Sequence, residues 1–118
     1  MPALSDAINR AVAEARKASN GRHAEVLVHD GPLRQSVIAL RQGITLAEHN
    51  SPPAASIYVV RGRLRVTGDE PVEVAPGQIE ALTHQRHAVE SLDDTVFLLT
   101  TVTSVPGTES YGGAHLEL

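Results

Sequence analysis

A chain of 118 residues, 42% apolar and 20% charged, is long enough for one hydrophobic core and has a globular composition. Without cysteine it has no disulfide, no thiolate nucleophile and no Cys-based zinc or iron–sulfur site. A net charge of −4 sets up no global field for phosphates, and two tyrosines with one phenylalanine are too few to stack bases, so no nucleic-acid partner is expected.

The first residues, MPALSDAINRAVAEARK, have no apolar core behind a basic head. No apolar run approaches the roughly 20 residues of a membrane span. The expectation is a cytoplasmic protein with no membrane partner. Residues 3–18 read as a helix, with Leu4, Ile8, Ala11, Val12, Ala15 and Ala18 on one face. Asn20-Gly21 supplies a left-handed stop. The apolar face is narrow and alanine-rich, which suits a packing helix or lid laid against a β domain or across a dimer.

After Gly21 the period changes to two. Val26 and Val28 alternate with Leu27 in a short strand that ends at the Asp30-Gly31 turn. Leu33 to Leu40 is a second, more apolar strand, closed by Gln42-Gly43, and 44–48 extends again. Residues 56–60 and 63–67 flank Arg61-Gly62 and are expected to form a hairpin. Short strands follow at 70–74, 78–82, 87–91 and 95–102, separated by Gly68-Asp69, Pro76-Gly77 and Asp93-Asp94. About nine short strands between turn signals predict an all-β barrel or sandwich. The organisation expected is a helix and linker over 1–22, a β-barrel over 23–102 and a tail over 103–118. The tail is Gly-, Ser- and Pro-rich and reads as disordered or as an added edge strand.

Two stretches carry more than periodicity. In GITLAEHNSPPAASIYVVRG, Gly43 is followed after five residues by His49, and an apolar strand with Tyr58 runs into Gly62. In PGQIEALTHQRHAVE, Pro76-Gly77-Gln78 opens a segment that reaches His87. Over residues 33–102 the chain resembles the cupins, whose two motifs have this order of glycine, histidine, apolar strand, Pro-Gly turn and histidine. The resemblance implies a double-stranded β-helix, that is, a jelly-roll barrel of the RmlC-like cupin type with one added N-terminal helix. It also implies a small oligomer, a homodimer in the simplest case.

The departures from the family pattern bear on function. The family's second histidine falls on Ser51, and its metal-binding glutamate falls on Ala55. Two of four ligand positions are therefore lost, leaving His49 and His87. A catalytic zinc wants three protein ligands, and a non-haem iron wants two histidines and a carboxylate. His84 is the best replacement for a third ligand, and His115 in the tail is a remote one. No cofactor is firmly expected; the candidate is a weakly bound divalent iron, manganese, nickel or zinc at His49, His87 and His84. The alternative is a pair of neutral histidines hydrogen-bonded in a polar pocket.

By the same resemblance, the small-molecule pocket is lined by His49, Ser51, Ile57, Val59, His87 and Val89. Alternation then turns Tyr58 and Glu90 outward. Arg61, Arg63 and Arg65 alternate and read as a solvated strand face, with Asp69, Glu70 and Glu73 nearby. Three functions remain open: a non-catalytic binding or sensing module, a metal-dependent dioxygenase or isomerase, and a metal-free enzyme with His49 or His87 as general base. The substrate and the catalytic residues are not legible.

Overall fold

In the computed structural model, residues 3–47, 54–68, 70–82 and 88–103 are described. Among these residues, one helix, α1 (Leu4–Lys17), precedes nine strands. These are β1 (Arg22–Asp30), β2 (Leu33–Leu40), β3 (Thr45–Ala47), β4 (Ala54–Arg61), β5 (Leu64–Thr67), β6 (Val72–Val74), β7 (Ile79–Leu82), β8 (Ala88–Ser91) and β9 (Thr95–Val102). They form a five-stranded sheet of order β1-β2-β9-β4-β7 and a four-stranded sheet of order β3-β8-β5-β6. Every pairing is antiparallel. None of the described helices is long and apolar enough to cross a membrane.

Two apolar cores follow from the strand period of two. Between the sheets lie Ile38, Leu40, Leu46, Ile57, Val59, Leu64, Val66, Val74, Leu82, Val89, Phe97 and Leu99. Behind the large sheet, Val37, Ala39 and Val96 meet Ala7, Ile8, Ala11 and Ala15 of α1. The run Val37-Ile38-Ala39-Leu40 is buried throughout because its two faces serve different cores. Alanines on α1 let the helix lie close on the sheet, at the cost of little buried area per residue. Ala7, absent from the expected helix face, is fully buried, whereas Leu4 on that face is exposed.

The helix is fastened at mid-length and at its C-terminal end. The Arg10 guanidinium donates to Glu25 on β1, Nε to Oε1 at 3.1 Å and a second nitrogen to Oε2 at 2.5 Å. After Lys17 the Ala18 N–H still bonds the Glu14 carbonyl, and the chain reverses at Gly21, which has φ of 73°. This left-handed backbone favours glycine, and a Cβ here would stand 2.9 Å from Arg41 Nε and from Ile44 Cγ1, so both side chains would have to shift.

Two expectations are corrected. The first strand is longer than the Val26–Val28 alternation suggested; it begins at Arg22 and has a bulge between Val26 and Val28. The segments around Arg61-Gly62 are not a hairpin. β4 pairs with β7 and β9 in the large sheet, and β5 pairs with β6 and β8 in the small one. Gly62 is where the chain crosses between sheets. Its φ is 83°, and an added Cβ would overlap the Asp94 carbonyl and lie 2.7 Å from Thr95 Cα. A side chain of ordinary size has no room at that crossing.

Hydroxyls fasten the crossing end. Buried Thr95 takes a hydrogen bond from the Arg63 N–H at 3.1 Å, and its own proton is within reach of the Arg63 and Asp93 carbonyls. Buried Ser91 accepts from the Ile44 N–H at 3.0 Å and faces the carbonyls of Arg41 and Ile44. Backbone groups that leave the sheets are thereby satisfied without water.

Candidate functional site

The opposite end of the barrel is built from strand ends. β3 stops at Ala47 and β8 starts at Ala88, and these two residues are direct partners in the small sheet. β4 starts at Ala54 and β7 stops at Leu82, with Ala55 paired to Leu82 in the large sheet. In sequence, residues 48–53 link β3 of the small sheet to β4 of the large one, and residues 83–87 link β7 of the large sheet to β8 of the small one. The Thr67 hydroxyl fastens the end of β5 here, donating to the Ala88 carbonyl at 3.1 Å and lying 3.3 Å from the Ala88 N–H.

His49, Ser51, His84 and His87 belong to these two segments and lie outside the described residues, as does His115. Ile57, Val59 and Val89 are described, and all three are buried in the core between the sheets. Ala55, at the position where the resemblance places a metal-binding glutamate, packs against that same core. Its partners in the sheet are Thr101 and Leu82, so no carboxylate stands on this wall of the large sheet beside it. Among the described residues, no group of three His, Cys, Asp or Glu is arranged to hold a metal ion. The described wall thus does not supply the missing ligand.

It supplies hydroxyls instead. Ser36 is in phase with Ile38 and Leu40, and Thr101 with Phe97 and Leu99, so both face the inner core. Ser36 is 3% exposed and Thr101 7% exposed. Neither hydroxyl hydrogen-bonds another described residue, although a buried hydroxyl without a partner costs about 1–3 kcal/mol. Across the large sheet the outermost inner-facing row runs His29, Arg34, Thr101, Ala55, Leu82. The next row inward contains Ser36, Leu99 and Ile57. Arg34 turns its guanidinium to the rim and donates to the Gly31 carbonyl at 2.6 Å, without an ion pair to any described residue. Toward this end the inner face gains polar residues on β1, β2 and β9, while Ala55 and Leu82 keep it apolar on β4 and β7.

These residues were missed in the sequence. The available signal was a polar residue in phase with an apolar series, Ser36 in SVIAL and Thr101 in VFLLTTV. A side cleft of about 370 Å³ also opens between β1 and β3, over Ala24, Ile38 and Leu46, with Asn20, Arg22, His23 and Val26 on its rim.

The arginine series resolves differently from its sequence spacing. Arg63 and Arg65 pair with Glu73, and Arg65 also with Glu90 at 3.3 Å, on the outer face of the small sheet. Arg61 lies on the large sheet, so the three do not form one stripe. Tyr58 is exposed, and beside it on the outer face of the large sheet stands Ile79, 69% exposed.

No protein-family profile matches the chain, and no curated protein does. Solved structures match its fold. It is similar to a conserved protein of unknown function from Streptococcus pyogenes, at 26% identity and a TM-score of 0.65, over 74% of this chain and 78% of that one. It is similar to a cupin superfamily protein from Desulfitobacterium hafniense, at 14% identity and a TM-score of 0.65, over 70% of this chain and 78% of that one. A salicylate 1,2-dioxygenase from Pseudoaminobacter salicylatoxidans superimposes over 86% of this chain and 33% of its own, at 15% identity and a TM-score of 0.74.

Proposed function

We propose that this chain, which has the cupin fold, binds a small molecule in its barrel pocket and that its metal site is incomplete. The observation that carries the reading is the register of the four strand ends. Ala47 is opposite Ala88 and Ala55 is opposite Leu82, and these are the strand ends from which the segments carrying His49, Ser51, His84 and His87 continue along the chain. The buried hydroxyls of Ser36 and Thr101 support it, because each wants a partner that the described residues do not provide. A neutral polar ligand of modest size would take hydrogen bonds from the hydroxyls and from the histidines, above an aliphatic floor that includes Ile57, Val59 and Val89. The protein would act as a homodimer with this pocket as its binding element.

The second reading is a metal-dependent cupin enzyme of dioxygenase or isomerase type, with His49, His87 and either His84 or water completing the site. The structural likeness to a salicylate dioxygenase favours it at the level of fold alone. Ala55 weighs against it, since a methyl group stands where a ligand carboxylate is needed.

Elemental analysis of protein purified without chelator or histidine tag separates the two. The expected result is metal well below one equivalent and no thermal shift with divalent ions. A ligand screen by thermal shift should then find a small polar molecule whose effect is weakened by Thr101→Val. Near-stoichiometric iron, manganese, nickel or zinc that disappears in His49→Ala would overturn the first reading.

A further inference from the structure

We propose a second site, an oxyanion-binding pocket behind the large sheet, under the C-terminal end of α1. A cavity of about 200 Å³ lies there between Val12, Ala15 and Arg16 of the helix and the sheet. Its apolar wall includes Ala39, Leu40 and Val96. Three arginines line it from different parts of the chain: Arg16 in the last turn of α1, Arg41 just after β2, and Arg61 at the end of β4. None of the three makes an ion pair with a described residue. By contrast Arg10, Arg63 and Arg65 all do. One carboxylate, Asp94, also lines the cavity, and one of its oxygens is already engaged by the Gln42 N–H at 2.8 Å.

Arg41 is held in place before any ligand arrives. Its N–H bonds the Gly21 carbonyl at 2.8 Å, its guanidinium reaches the Ala18 carbonyl at 3.3 Å, and its Nε lies where a Gly21 side chain would be. A fixed, half-buried arginine with free donors loses little entropy on binding an oxyanion. Three arginines against one carboxylate leave an excess of two positive charges around the cavity. The volume equals about seven waters at roughly 30 Å³ each, which admits a small anion with a short apolar body and no nucleotide. The ligand class is a small carboxylate or phosphate whose charged end meets the arginines while its carbon chain lies on Val12, Ala39 and Val96. Bound there, it would clamp the helix to the sheet. The pocket is on the opposite face of the sheet from the barrel interior, so it is independent of the barrel reading.

The test is titration of the full chain, followed by amide chemical shifts, with n-butyrate and with inorganic phosphate, against sodium chloride at matched ionic strength. Saturable shifts at Val12, Ala15, Arg41 and Val96 with butyrate alone identify a carboxylate, and with phosphate alone a phosphate. Arg61→Gln should weaken binding roughly tenfold, the loss of one charge-assisted contact. Arg63→Gln, on the other sheet, should leave it unchanged. Asp94→Asn, which keeps the acceptor for Gln42, should tighten it. Arg41→Gln is expected to disturb folding, so the exposed Arg61 and Asp94 variants decide the matter. Shifts that follow ionic strength without saturating, or an affinity indifferent to Arg61→Gln, would overturn the proposal.

Discussion

Replacing Gly62 with alanine should be far more damaging than replacing Gly77, although the two have nearly the same backbone angle. Their φ values are 83° and 84°. The left-handed conformation costs a non-glycine residue about 1–2 kcal/mol, and both variants carry that penalty. They differ in space. Around Gly77 a Cβ meets nothing within 4 Å, whereas at Gly62 it overlaps the Asp94 carbonyl and the Thr95 hydroxyl and lies 2.7 Å from Thr95 Cα. Two of these obstacles are backbone, which cannot rotate away. Overpacking of this kind adds about 1–3 kcal/mol. Gly62→Ala should therefore lose roughly 2–5 kcal/mol and Gly77→Ala about 1–2 kcal/mol. Urea unfolding reads this as a midpoint difference of around 1 M at a slope near 2 kcal/mol per M. Equal midpoints for the two variants would refute the argument that Gly62 is needed for passage between the sheets.

Further outcomes follow from the same contacts. Thr95→Val should cost about 1–3 kcal/mol in equilibrium denaturation, because it strips a buried partner from the Arg63 backbone, and Thr95→Ser should recover most of it. The Arg10 hydrogen bond, with its charge, holds the Glu25 carboxyl below its usual value of 4.5. A depressed carboxyl stabilises the fold above its unfolded pKa, and that stabilisation is lost as pH falls through the folded value. Melting temperature should thus decline more steeply in acid, below about 4.5, for the native chain than for Arg10→Gln, and parallel curves would exclude the linkage. Ser36→Ala should leave the ligand-free protein as stable as before or slightly more so, since it removes a buried hydroxyl without a described partner. A clear loss in melting temperature would mean that the hydroxyl is already satisfied.

Strand existence was legible where apolar runs were long. Leu33–Leu40 and Thr95–Val102 are read directly from SVIAL and VFLLTTV, since a strand buried on both faces has few polar residues to blur it. The start of β1 was not, because Arg22, His23 and Glu25 sit on an edge strand where charge is tolerated. The Gly62 hairpin failed for a different reason. Period and turn residues tell where strands end, but pairing is decided by what lies across the space, here Asp94 and Thr95 some thirty residues later. Of the candidate site, the motif segments with His49 and His87 were readable in sequence and lie outside the described residues, whereas the inner-facing hydroxyls were not readable. Ser36 and Thr101 are ordinary residues in apolar strands until the sheets show which face they share.

The alanine-rich contact of α1 has a consequence for the integrity of the chain. Among the described residues, Ala7, Ile8, Ala11 and Ala15, with Val12 beside them, form the helix face that covers Val37, Ala39 and Val96 on the back of the large sheet. A protein cut after Asn20 would keep both sheets and the space between them while baring a flat aliphatic surface. That surface lies on β2 and β9, the two strands next in from the edge strand β1. Such a fragment would be competent to fold and prone to stack on its own kind, so proteolysis near Gly21 would first appear as association rather than unfolding.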